Sequence, residues 1–98
     1  MNSADAVETL KAHEAELRRR GVRHAALFGS VARGEAHPGS DVDVMLDLDP
    51  EARITVFDYV GIVEYVQGLF GGAVDVSNRE SLKAHVRPSA EHDAIRVF

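Results

Sequence analysis

The residues Asp41-Val-Asp-Val-Met-Leu-Asp-Leu alternate apolar and polar with a period of two, which leaves little choice about what they form. That period belongs to a β-strand, whose successive side chains point to opposite faces. Val42, Val44, Leu46 and Leu48 then share a face that belongs in a core, while Asp41, Asp43, Met45 and Asp47 share the other. On that second face Asp41 and Asp43 stand at i and i+2, with Cα atoms roughly 6.5 Å apart and carboxylates able to converge. Two such charges resist joint ionisation unless a cation lies between them. Hard oxygen donors suit Mg²⁺ or Mn²⁺, which bind through a few carboxylates, waters and substrate phosphates. A merely solvated strand face would carry the same residues, so the reading depends on what precedes the strand.

What precedes it is a second apolar run, Val22 to Phe28, mixed enough on both sides to suit a central strand. Gly29 follows directly, and Gly29 and Gly34 bracket Ser30, Val31, Ala32 and Arg33. A glycine after a strand lets the backbone turn sharply and approach a ligand closely. The residues after it begin a short helix, whose unpaired N–H groups suit a phosphate, with the Ser30 hydroxyl as one more donor. His37, Pro38, Gly39 and Ser40 close the loop with turn residues. From Leu27 to Asp47 the chain therefore reads as a phosphate cradle facing two metal-binding carboxylates.

Ninety-eight residues accommodate one small domain, expected to span 1–98, and an apolar fraction of 45% with 28% charged residues is that of an ordinary globular protein. The net charge of -5 makes an average field that repels a polyanion, which argues against direct nucleic-acid binding. With no cysteine there is neither a disulfide framework nor a thiolate metal site. Nothing resembles a signal peptide and no window reaches the length of a membrane span, so the chain is expected to be cytoplasmic, with no membrane partner.

Ser3 as N-cap and the Arg18 to Gly21 stop predict one helix over Ala4 to Arg20, with Val7, Leu10, Glu14 and Leu17 near one face. Arg18, Arg19, Arg20 and Arg23 complement the end of that helix, with no catalytic role. Asp47 and Asp49 are expected to be solvated strand ends. Pro50 and Gly71-Gly72 bound a long apolar helix, Ile54 to Phe70. Val56, Val60, Val63 and Phe70 are expected on its inner face; Ile62, Tyr65 and Leu69 add apolar surface elsewhere, suited either to a protein interface or to burial under the C-terminal segment. A short helix over Arg79 to Val86, a break at Pro88 and a last strand over Ala94 to Phe98 complete the chain. None of the five histidines is assigned a role.

Gly29-Ser-Val-Ala-Arg-Gly followed by Ser40-Asp-Val-Asp resembles the signature of the nucleotidyltransferase superfamily, which has the DNA polymerase beta-like fold. In size the chain is similar to the minimal nucleotidyltransferase (MNT) proteins, often the antitoxin partners of HEPN-domain toxins. Both halves of the motif occur in the right order with a short loop between them. The resemblance implies an α+β fold, a small mixed sheet flanked by helices, and a third acidic residue on a neighbouring strand. Ala73-Val-Asp-Val supplies Asp75, with Val74 and Val76 toward the core. It further implies transfer of a nucleoside monophosphate from a nucleoside triphosphate, ATP for this family, to an acceptor hydroxyl, with pyrophosphate leaving. Asp41 and Asp43 would hold Mg²⁺, two ions being expected, and Asp75 would help bind the second and polarise the acceptor oxygen. Gly29 and Ser30 would bind the terminal phosphates, with Arg33 as a helper. The acceptor is expected to be a tyrosine on the HEPN toxin, modified with AMP and so silenced.

Two other readings stay open. The chain could neutralise a toxin by binding alone, or act on small molecules as aminoglycoside-modifying nucleotidyltransferases do. Base preference and homo-oligomerisation are not legible in the sequence.

Overall fold

The structure is a computed structural model that describes residues 3–32, 42–71, 74–79 and 94–98. Four strands form a mixed sheet in the order β3-β2-β1-β4. Strand β1 (Val22–Phe28) pairs antiparallel with β2 (Val42–Leu48) on one side and with β4 (Ile95–Arg96) on the other. Strand β3 (Val74–Asn78) lies parallel to β2 at one edge. A parallel neighbour needs a long crossover, and helix α4 (Val56–Phe70) provides it. The α+β mixed sheet and the central place of β1 are as the sequence predicts.

Alternation along β2 separates the faces as expected. Val44 and Leu46 are wholly buried and join Ala25, Leu27, Val42 and Val74 in the core, against Leu10, Leu17, Ile62 and Val66 from the helices. Full burial of a side chain of this size contributes about 1.5–3 kcal/mol each. The other face carries three rows in register. Phe28, Asp43 and Asp75 form one; Arg96, Ala26, Met45 and Ser77 the next; His24 and Asp47 the third.

The single N-terminal helix is two, α1 (Ser3–Ala12) and α2 (Glu14–Arg19). His13 explains the break. Its backbone sits at φ -114, ψ 15, and its N–H turns to Leu10 O at 3.1 Å. Its ring Nδ1–H takes over the Thr9 carbonyl at 2.9 Å, the bond that its backbone would make in a continuous α-helix. The arginines after it are occupied structurally, as expected. Arg18 pairs with Glu14 and lies over the Phe98 ring; Arg19 and Arg20 both pair with Glu16, and Arg20 lies over Tyr65.

Helix α4 departs from expectation at its start and around its axis. Pro50–Ala52 form a separate 3-10 turn capped by Asp49, whose side chain accepts from Glu51 N. The α-helix begins after Thr55, where the Thr55 hydroxyl accepts from Asp58 N and the Asp58 carboxylate from Thr55 N. Gly71 ends it in the left-handed region at φ 67. Ile62 and Val66 form the buried stripe, with Tyr65 and Phe70 beside them, whereas Val56, Phe57 and Val60 are 77%, 89% and 47% exposed. Val56 and Val60, expected to face inward, therefore face out, whereas Phe70 packs against the core as expected. A helix that is apolar nearly all round offers no contrast at the 3.6-residue period, so its crossover path chooses the inner face.

The last strand is present, but as the two residues Ile95–Arg96 only. The short helix expected over Arg79 to Val86 falls, after its first residue, outside the described residues. Among the described residues no helix is long and apolar enough to cross a membrane.

Candidate active site

Strand β1 ends at Phe28, directly opposite Asp43 of β2, and Asp43 in turn lies beside Asp75 of β3. Neighbouring strands are about 4.8 Å apart, so two carboxylates on one face in one row are close enough to share a cation. Asp75 is exposed and Asp43 half-buried. The core residues Val74 and Val44 flank them on the opposite face, which is why the period-two pattern of each strand sends its aspartate to the same side.

Gly29 completes the cluster. It turns the chain out of β1 with φ 75, a backbone conformation that side chains disfavour, and opens the short helix α3 (Gly29–Ala32). A methyl group on its Cα would collide with Asp43 Oδ2 and come within 3.1 Å of the carboxylate carbon. Backbone and carboxylate therefore meet with no side chain between them, as the cradle reading requires.

Of the residues singled out in the sequence, the fold thus brings Gly29, Asp43 and Asp75 together. Ser30 contributes its backbone to α3, and its side chain is outside the description. Asp41 and Arg33 lie outside the described residues, Asp41 immediately before β2. Among the described residues no group of three or more histidine, cysteine or acidic side chains could hold a metal. The donor chemistry nevertheless fits Mg²⁺: two hard carboxylates in one row, with a third in sequence two residues before Asp43.

Two features near this row are not legible in the sequence. Tyr59 of α4 has its phenol pKa pushed up, first by burial and then by the charge of Asp75, so α4 reaches the edge of the carboxylate cluster. Asp47, expected to be solvated, is 7% exposed. Its Oδ2 lies 3.3 Å from Arg23 Nη2 and 3.9 Å from Arg79 Nη1. A register shift between Val22 and His24 sets Arg23 beside it, and the parallel pairing carries β3 on toward Arg79 on its other side. Both are consequences of strand pairing, for which a single sequence carries no local signal. Asp49, also expected to be a solvated strand end, is half-buried and caps the 3-10 turn.

The nucleotidyltransferase domain family matches residues 10–97 of the chain. "Protein adenylyltransferase MntA" of Thermococcus cleftensis is 37% identical over 89 residues, which cover 90% of this chain and 88% of that protein. A solved structure described as a minimal nucleotidyltransferase superposes with a TM-score of 0.80 at 28% identity, covering 97% of this chain and 95% of that one. The fold also matches, at a TM-score of 0.65 and 12% identity over 94% of this chain and 71% of the other, a structure of a tri-AMPylated Shewanella oneidensis HEPN toxin in complex with MNT antitoxin. With the family spanning the whole sheet and the Gly29, Asp43 and Asp75 cluster in place, the chain belongs to the nucleotidyltransferase domain family and is a nucleotidyltransferase of minimal size.

Proposed function

We propose that the chain transfers AMP from ATP to a tyrosine hydroxyl of a HEPN-domain toxin and so acts as its antitoxin. The observation that carries this reading is the meeting of Gly29, Asp43 and Asp75 at one end of a sheet face. It is supported by the name of the Thermococcus relative, a protein adenylyltransferase, and by the likeness in fold to an antitoxin bound to an AMPylated toxin.

In the proposed reaction the acceptor oxygen bonds to the α-phosphorus, the bond from that phosphorus to the bridging oxygen breaks, and pyrophosphate leaves with the electron pair. Asp43 and Asp75, with Asp41, would hold Mg²⁺, two ions being the family's expectation. When bound, the metal neutralises phosphate charge and makes the acceptor hydroxyl more acidic. Gly29 and the backbone N–H groups that begin α3 receive the terminal phosphates, with Ser30 and Arg33 as further donors. Asp75 is exposed on the edge strand, where an acceptor can reach it. There is little covalent work for the protein beyond this positioning and charge neutralisation.

Neutralisation by binding alone has one feature in its favour, the exposed Val56, Phe57 and Val60 patch on α4, which suits a protein partner. One experiment separates the readings. The purified chain is incubated with Mg²⁺, each nucleoside triphosphate in turn and the candidate toxin, and both proteins are weighed by mass spectrometry. An AMP adduct on the toxin, lost with Asp43→Asn or Asp75→Asn, supports the enzyme. No adduct from any nucleotide, with the Asp43→Asn protein still suppressing toxicity, overturns it in favour of binding alone.

A further inference from the structure

Phe57 stands 89% exposed on helix α4, with the half-exposed Val60 on its flank. Residues 57, 61, 64 and 68 succeed one another at helical spacing, so the same outward face carries Gly61, Glu64 and Gly68. Glu64 is exposed and makes no ion pair among the described residues. A groove of about 450 Å³ runs beside Phe57 and Gly61, with Arg19 and Arg20 on its other wall. Arg20 Nε bonds to Glu16, its guanidinium covers the Tyr65 ring, and its Nη1 lies 4.0 Å from where a methyl group on Gly61 would stand. Arg19 shares the Glu16 carboxylate, and Asp58, also in the groove, is engaged by the Thr55 cap. A methyl group on Gly68 would meet nothing within 4 Å among the described residues.

We propose that this face is the contact between two copies of the chain, with their α4 helices packed antiparallel about a two-fold axis that passes between Gly61 and Glu64. The face is complementary to itself in charge and in shape. Phe57 and Gly68 have the same midpoint along the helix as Gly61 and Glu64, so a single axis makes both matches at once. Glu64 meets the partner's Gly61, where the partner's Arg20 supplies the cation that Glu64 lacks in its own chain. Phe57 meets the partner's Gly68, where open space receives the ring. Two-fold symmetry repeats each match, and the glycines let the helices approach at the short end of the usual 8–10 Å. Tyr59, through which α4 reaches the carboxylate cluster, lies on the far side of the helix from Phe57, so pairing leaves both clusters open. The contact is one helix face per copy, which suits a dissociation constant on the order of 10 μM. In more dilute solution the chain is a monomer, and its unfolding does not register Phe57.

The test is sedimentation velocity on the full chain between about 1 μM and about 300 μM, with melting of dilute protein as the check on folding. The unmodified chain is expected to pass from monomer to dimer across that range. Phe57→Ser weakens the dimer by about 10-fold or more. Gly68→Gln separates defined pairing from simple apolar adhesion, because it keeps Phe57 and fills the space that receives the partner's ring. It should raise the melting temperature of the dilute monomer, glutamine being the better helix former, and still weaken the dimer by about 10-fold. Glu64→Gln weakens the dimer by about threefold and removes most of its dependence on salt. A chain that stays monomeric at about 300 μM overturns the proposal, and if Phe57→Ser then weakens binding of the toxin, the face belongs to the toxin instead. A dimer that Gly68→Gln leaves as tight as before overturns the pairing. None of these outcomes depends on AMP transfer, so the dimer and the functional reading stand or fall separately.

Discussion

Gly29→Ala separates the two demands that the structure makes on this residue. The first is conformational, because a left-handed backbone costs a non-glycine residue about 1–2 kcal/mol, and Gly29 sits at φ 75. Gly71 shares that demand at φ 67 and has nothing among the described residues within 4 Å of where a methyl group would stand. For a domain of this size about 1 kcal/mol lowers the melting temperature by about 4–8 °C, so both alanine variants are expected to melt lower by a similar amount. The second demand belongs to Gly29 alone, because its methyl group would collide with the Asp43 carboxylate. That carboxylate is at the far end of its side chain, so displacing it leaves the β2 backbone in place. Its position is what a metal and a triphosphate would need, and a misplacement of about 1 Å costs about 100-fold in rate. Melting curves and single-turnover AMP transfer on both variants are the assay. Gly29→Ala is expected to lose about 100-fold in transfer while Gly71→Ala transfers normally. If Gly29→Ala melts lower yet transfers as fast as Gly71→Ala, the close approach of Gly29 to Asp43 has no catalytic meaning.

Other outcomes follow from the packing and the charges. In urea unfolding, Ile62→Ala should cost about 2–5 kcal/mol, because Ile62 is 1% exposed. Phe57→Ser, on the outward side of the same helix, should cost no more than about 0.5 kcal/mol, and the reverse order would mean that the faces of α4 are misassigned. Thr55→Ala removes the cap of α4 and should cost about 1 kcal/mol. Two hydrogen bonds from Thr55 hold the Asp58 carboxyl below its ordinary pKa. A depressed carboxyl stabilises the fold above its unfolded value of about 3.9, and that contribution is lost as the pH falls through the lower folded value. Asp58→Asn should therefore lack this acid-side loss when stability is followed downward from about pH 5. Arg23→Ala leaves the buried Asp47 with Arg79 as its remaining ion-pair partner among the described residues and should cost about 1 kcal/mol, since the arginine itself is half in solvent. Chelation of Mg²⁺ should abolish the AMP adduct in mass spectra, and its return should restore it.

The sequence by itself determined the parts of this protein that depend on neighbours along the chain. Alternation in β2 and β3 assigned Asp43 and Asp75 to the polar sides of two strands, and the glycine after β1 marked the turn toward them. Motif order then pointed to the family. The break at His13 escaped because a side-chain bond to Thr9 replaces a backbone bond, and no helical period records that exchange. The tertiary structure alone decided what lies across from what. Strand register put Asp43 between Phe28 and Asp75, and a register shift with a parallel edge strand turned Asp47 from an expected surface residue into a buried one. The same holds for α4, where the crossover from β2 to β3 buried Ile62 and Val66 and left Phe57 outside. Periodicity is local and can be read from one strand or one helix. Register and the choice of an inner face are set by partners far away in sequence, so they exist only once the chain has packed.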